Sequence, residues 1–359
     1  MDRATSALFE RGTVHNMDAE VRKIVMEAAI VAIAGFSLAP EVIAKIAGLA
    51  TTVQNGLFAA PIDLPGTKLN KARAARPAYL ALWADLARAR FGVDPATGCL
   101  LSPSAESLVP AGALDPTHGL FHEFAEMGDA ATPEKIADRL AQNAVGASET
   151  TGNTLLGFYI AISRTPGLMA RLRVEQAEVM ARLGAESLSY DALLNKMPLL
   201  EAALKESQRV LPVSHTIFRR ALVDVEVGGF KIKKGQMMLI PPGTFQLLQA
   251  HTWDGKTAPP GALPRSYDQR QWEEAYKPER WLVPAAEQPN LHVFGYGPRK
   301  CVGMTVANLE LRSAMALTLR RGTWVMNNAA VHVKFMPMLS LASGPTSITF
   351  TKDPLPGAV

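Results

Sequence analysis

The chain has 359 residues, 48% of them hydrophobic, and a formal net charge of +4. That supports a sizeable core, in one large domain or two ordinary ones. The basic residues are scattered, which excludes a nucleic-acid tract; a weak positive balance suits an acidic protein partner or an anionic membrane surface. Cys99 and Cys301 are the only cysteines, too few for a disulfide framework, and a reducing compartment is the simpler reading. Met1–Ser6 is not read as a signal peptide, because no apolar h-region follows a basic start. The apolar run from Ala28 to Pro40 is too short to cross a bilayer and reads as a buried helix. Localisation is left open.

Asp18 to Ala50 reads as two helical pieces broken near Ser37–Pro40, and Pro61–Thr67 as a turn-rich connector. A basic amphipathic helix is expected from Leu69 to Phe91, with Arg73, Arg76, Arg88 and Arg90 on a solvated face. Pro95 to His118, rich in Gly, Pro and Ser, is expected to be an exposed loop. Thr132-Pro133-Glu134 is a helix start, with a capping hydroxyl, proline in the first turn and an acid near the positive end of the dipole. The helix is expected to span 132–164, ending at Thr165-Pro166. Gly146-Ala147-Ser148-Glu149-Thr150-Thr151 in its middle weakens regular bonding, since hydroxyls can take backbone carbonyls.

Pro198 opens an amphipathic helix in which Glu206 and Arg209, three apart, project from one face and can meet. Phe218 to Ile240 reads as short strands with a Gly228-Gly229 hairpin and a Lys234-Gly235 turn. His215, His251 and His292 are isolated and lack metal-ligand spacing. Trp253 to Trp272 is expected to be a surface insertion. Beyond Val325 the chain alternates. Val331–Phe335 and Ser347–Phe350 read as strands, with Met336-Pro337-Met338 as a turn between them.

The organising stretch is Phe294-Gly295-Tyr296-Gly297-Pro298-Arg299-Lys300-Cys301-Val302-Gly303. It sets a cysteine behind a glycine-broken loop and ahead of a helical pattern carried by Met304, Ala307, Leu311, Ala314 and Met315. Orphan N–H groups and the dipole at a helix start favour a thiolate, as do Arg299 and Lys300. A thiolate is a soft, electron-donating ligand suited to haem iron. Gly295, Gly297 and Gly303 let backbone lie close to a flat ring.

The decapeptide matches Phe-x-x-Gly-x-Arg-x-Cys-x-Gly at every fixed position and resembles the haem-binding signature of the cytochrome P-450 family. The resemblance implies a mainly α fold with small β-sheets, in one domain over 1–359, with an oxygen-side helix at 132–164 and the haem loop and following helix at 294–320. It implies haem b, with Cys301 as axial iron ligand. Arg219 and Arg299 fall on propionate-binding positions, and Phe294, Gly295 and Gly303 belong to the cofactor loop. Thr150 and Glu149 fall on the oxygen-handling threonine and its adjacent acid, although glycine and alanine are transposed in that segment. Glu206, Arg209 and Arg280 are implied to form a buried brace, Arg280 lying in Lys277-Pro278-Glu279-Arg280-Trp281 with tryptophan where the family has phenylalanine.

The implied function is monooxygenation of an apolar isoprenoid, retinoid or sterol-like substrate. It uses O2 and electrons from a reductase or ferredoxin, near Arg299, Lys300 and Arg312. Two rival readings are a non-catalytic haem-binding remnant and a haem-thiolate isomerase or dehydratase. The resemblance also implies a further stretch ahead of residue 1, where any membrane anchor belongs; no Trp-x-x-x-Arg pattern precedes Asp18.

Overall fold

The computed structural model describes residues 1–34, 38–57, 59–93, 95–96, 98, 132–214, 216–247, 269–327, 333–335, 339–341 and 346–357. The described chain is mainly helical with small sheets. In chain order it runs α1 (Asp2–Arg11), β1 (Thr13–Val14), α2 (Met17–Ala34), α3 (Pro40–Leu57), α4 (Lys68–Phe91), α5 (Pro133–Arg164), α6 (Leu168–Leu183), α7 (Tyr190–Asn195) and α8 (Pro198–Val210). Four strands follow, β2 (Ile217–Arg220), β3 (Val225–Val227), β4 (Phe230–Ile232) and β5 (Met237–Ile240). Then come α9 (Pro242–Leu247), α10 (Gln269–Ala275), α11 (Met304–Arg321), β6 (Gly322–Met326), β7 (Val333–Phe335), β8 (Leu339–Leu341) and β9 (Ile348–Lys352).

The chain divides into two compact units. The first holds Met1 and Arg22–Gly152. Its core gathers Met26, Ile43, Ile46, Trp83, Ile136 and Leu140. α3 and α4 approach so closely that a Cβ on Gly56 would lie 2.1 Å from that of Ala72, which only glycine avoids. Tyr79 packs edge-on against Trp83 and donates its hydroxyl to the Ala141 carbonyl at 3.1 Å. Capping follows the sequence. The Thr67 hydroxyl accepts from the Asn70 N–H at 3.3 Å, and that of Thr132 accepts from Lys135 at 3.4 Å. Arg73, Arg76 and Arg88 lie on an exposed face, paired with Asp63, Asp138 and Glu134.

The second unit holds Asp2–Val21 and Asn153–Val359. Phe9, Tyr159, Trp324 and Phe350 form its aromatic cluster, with Tyr159 and Trp324 centroids 5.2 Å apart, edge to face. A three-stranded antiparallel sheet has the order β1-β9-β6. β2 pairs with β5, setting Arg219 opposite Met238, and β3 pairs with β4 across Gly228 and Gly229, both at positive φ.

The structure corrects two expectations. Trp272 is not the edge of a surface insertion. It lies in α10, is almost fully buried, stacks on Tyr276 and donates its indole N–H to Thr165. Arg312 does not face an external partner, because it is buried, ion-paired with Glu201 at 3.2 Å and bonded to the Leu194 carbonyl at 2.9 Å. The readings for Cys99, His215, His251, Val331 and Met336–Met338, and most of those for Pro95–His118 and Trp253–Trp272, fall outside the described residues.

Candidate haem-thiolate site

The cysteine loop is held by its own backbone. Gly295 donates its N–H to the His292 carbonyl at 3.0 Å, Lys300 to Gly297 at 3.0 Å, and Cys301 to Phe294 at 2.8 Å. Gly295 and Gly297 have φ of 72° and 64°, a conformation that side chains disfavour and that folds the loop back on itself. Gly303 has an ordinary φ. It caps α11, its carbonyl accepting from Ala307 at 2.9 Å, and a Cβ on it would stand 4.0 Å from the Cys301 sulfur. Cys301 is a free, exposed thiol two residues ahead of that cap.

In the same unit, Glu206 and Arg209 meet as their spacing allows. Arg209 donates Nε to Glu206 Oε2 and Nη2 to Oε1, both at 2.8 Å, and the two residues are 0% and 1% exposed. The Lys277 N–H reaches Oε1 at 2.9 Å, and the Trp281 indole N–H reaches Oε2 at 2.8 Å. Four donors therefore saturate one carboxylate. Arg280 stands at 3.7 Å from Oε1, an ion pair without a hydrogen bond, and its buried Nη1 has no hydrogen-bond partner among the described residues. The tryptophan that replaces the family's phenylalanine thus supplies an N–H that phenylalanine lacks.

Arg219 and Arg299 lie in the same unit as Cys301. Arg219 is half-buried and donates only to the Phe218 carbonyl, at 2.9 Å; Arg299 is exposed. Neither has a carboxylate partner among the described residues. A permanently charged planar donor without an acid suits an external anion.

Glu149 and Thr150 lie in the first unit, on α5. The helix runs unbroken for 32 residues through Gly146, so the segment does not open as its composition suggests. The hydroxyl contact is present, since Thr150 Oγ1 donates to the Gly146 carbonyl at 2.7 Å. Glu149 is 7% exposed; its Oε1 accepts from the Thr51 hydroxyl at 2.6 Å and lies 2.9 Å from Arg22 Nε.

Sequence reasoning missed Arg22, Thr51 and Gln246, whose roles come from contacts distant in the chain. Gly152 was an available signal for Arg22: a Cβ there would press on the Arg22 side chain at 3.3 Å. Gln246 gave none.

The family model for cytochrome P450 matches residues 117–248 and 265–350. The chain is 28% identical over 266 residues to cytochrome P450 BJ-4 of Bradyrhizobium diazoefficiens, an alignment covering 73% of this chain and 51% of that protein. It is 24% identical over 320 residues to beta-amyrin 11-oxidase of Glycyrrhiza uralensis, covering 89% and 59%. The chain thus spans about half the length of the curated relatives it matches. Among solved structures, retinoic acid-bound cyanobacterial CYP120A1 superposes with a TM-score of 0.71 at 20% identity, over 98% of this chain and 73% of that one. CYP102L1 does so with a TM-score of 0.68 at 17% identity, over 98% and 74%.

Proposed function

Because this chain belongs to the cytochrome P450 family, whose members bind haem b, we propose that it is a haem-thiolate monooxygenase in which the Cys301 sulfur would hold the haem iron. The residues present fit the group. The thiol is free and exposed, the neighbouring Gly303 adds no side chain beside it, and Arg219 and Arg299 carry charges no described acid neutralises. When bound, haem supplies activation of O2, so that one oxygen atom enters a substrate C–H bond and the other leaves as water, at the expense of two electrons and two protons.

The chain's own residues do the rest. Cys301 donates electron density as thiolate, and Arg219 and Arg299 hold the propionates. Glu206 and Arg209, with Arg280 as an outer charge, fix the platform under the loop. Phe294, Gly295 and Gly303 shape the loop itself. Thr150 holds a proton at Oγ1, and Glu149 exchanges one at its carboxylate. Electrons come from a separate reductase or ferredoxin, for which exposed Arg299 and Lys300 offer a basic docking edge. The substrate is an apolar isoprenoid, retinoid or sterol-like molecule. Support for that class comes from the retinoic acid bound to CYP120A1 and from the triterpene named in beta-amyrin 11-oxidase.

One observation carries the reading: a free cysteine at the end of a backbone-locked loop, with a saturated Glu206–Arg209 pair buried in the same unit. The test is the reduced carbon monoxide difference spectrum of the purified chain. A thiolate-type Soret band is expected, and Cys301→Ala should abolish it. A wild-type chain that takes up haem and gives no such band overturns the reading.

A further inference from the structure

Gln246, in the short helix α9, is completely buried, and both ends of its amide are engaged. Its Nε2 donates to the Arg209 carbonyl at 3.3 Å, and its Oε1 accepts from the His292 N–H at 2.6 Å. The amide can take only this orientation, because a backbone carbonyl can only accept and a backbone N–H can only donate. Arg209 is the guanidinium partner of Glu206 and lies in the last turn of α8. His292 begins the turn that leads into the cysteine loop. Its carbonyl accepts from Gly295, and the carbonyl of Phe294 then accepts from Cys301. The His292 ring Nδ1 and the Tyr296 hydroxyl are hydrogen-bonded to each other within the same turn. The backbone N–H that Gln246 holds is therefore the upstream anchor of the loop.

We propose that Gln246 is a positioning residue that ties the Glu206–Arg209 brace to the loop bearing Cys301, so that the thiol's place is set from the brace through one buried amide. The Glu206 and Arg209 side chains by themselves tie α8 to the Ala275 carbonyl and to the segment from Lys277 to Trp281, and their hydrogen bonds stop short of the loop that begins at His292. Gln246 spans that gap. The identity of glutamine follows from the geometry. Leucine or methionine fills the same space without either bond, and glutamate keeps the acceptor for His292 but sets an anion against the Arg209 carbonyl. Losing the amide leaves the part-buried His292 N–H and the buried Arg209 carbonyl without this partner, a cost specific to this junction.

The proposal rests on the haem-thiolate reading for its spectroscopic arm and on geometry alone for its exchange arm. Gln246→Met and Gln246→Glu are compared with wild type and with Tyr159→Phe, which loses a buried hydrogen bond to Thr318 in the last turn of α11, at the opposite end of that helix from the loop. Hydrogen exchange of the His292 amide is expected to quicken about tenfold or more in Gln246→Met, and less in Gln246→Glu, which retains the acceptor. The share of the reduced carbon monoxide complex in the thiolate-type band should fall several-fold in Gln246→Met and stay at the wild-type value in Tyr159→Phe. Unchanged exchange at His292 in Gln246→Met overturns the proposal whatever the spectrum shows. A thiolate band lost equally in Tyr159→Phe also overturns it, since general destabilisation then accounts for the effect. A wild type without the band removes the function proposed above, and the exchange rate at His292 then decides the role of Gln246 on its own.

Discussion

Glu206 accepts four hydrogen bonds at 2.8–2.9 Å spread over both oxygens, whereas Glu149 receives both of its partners, Thr51 and Arg22, on Oε1. Each is a buried glutamate beside an arginine. The difference lies in saturation. Glu206 has no unfilled acceptor site, and it acts as a fixed strut. Glu149 keeps Oε2 without a protein partner among the described residues, which leaves that oxygen open to a further donor. Glu310, on α11, is the limiting case. It is 6% exposed, and its buried Oε1 has no hydrogen-bond partner among the described residues.

Neutralising each in turn turns this comparison into numbers. Glu206→Gln leaves Arg209 buried without its counter-ion and should cost about 3–5 kcal/mol, read from the urea midpoint. A loss below ~1 kcal/mol would show that the four contacts do not act as a saturated strut.

Glu310→Gln should act in the opposite sense. Burial raises the Glu310 carboxyl from 4.5 to about 8. The folded chain therefore keeps a proton that the unfolded chain has released. This contribution is fully present below the unfolded value and is lost as pH rises through the folded one. The glutamine variant should match wild type near the lower limit of that window and exceed it by on the order of a few kcal/mol at the upper limit. Urea unfolding at the two pH values checks this; an equal difference at both would mean that the carboxyl is not held neutral.

Glu149→Gln should have the smallest effect on stability, about 1 kcal/mol, because Thr51 can still donate to the amide oxygen and Arg22 is partly exposed. Its signature should lie in coupling, with electron consumption exceeding product formation. A stability loss as large as that of Glu206→Gln would erase the distinction between the two.

Much of the site is legible in the sequence because its chemistry is local. The three-residue spacing of Glu206 and Arg209 puts them on one helical face, and the decapeptide encodes its own turns through glycines at positive φ. Thr132 and Pro133 announce α5, and the strands at Phe218–Ile240 follow from their turn residues. Misreadings arise where a residue's partner lies far along the chain. Trp272 reads as surface because its neighbours are polar, yet it is buried against Thr165 and Tyr276. Arg312 resembles a docking charge until Glu201 and the Leu194 carbonyl enclose it.

By itself, the sequence determined the turns of the cysteine loop, the meeting of Glu206 with Arg209 and the helix that follows Cys301, because backbone periodicity and glycine stereochemistry act over a few residues. Only the tertiary structure decided which carboxylate is saturated, that Trp281 hydrogen-bonds Glu206 where Arg280 stands off, and that Gln246 joins Arg209 to His292. Burial sets those outcomes. A polar group removed from water must find a partner wherever the fold brings one, and no local pattern specifies which partner that will be.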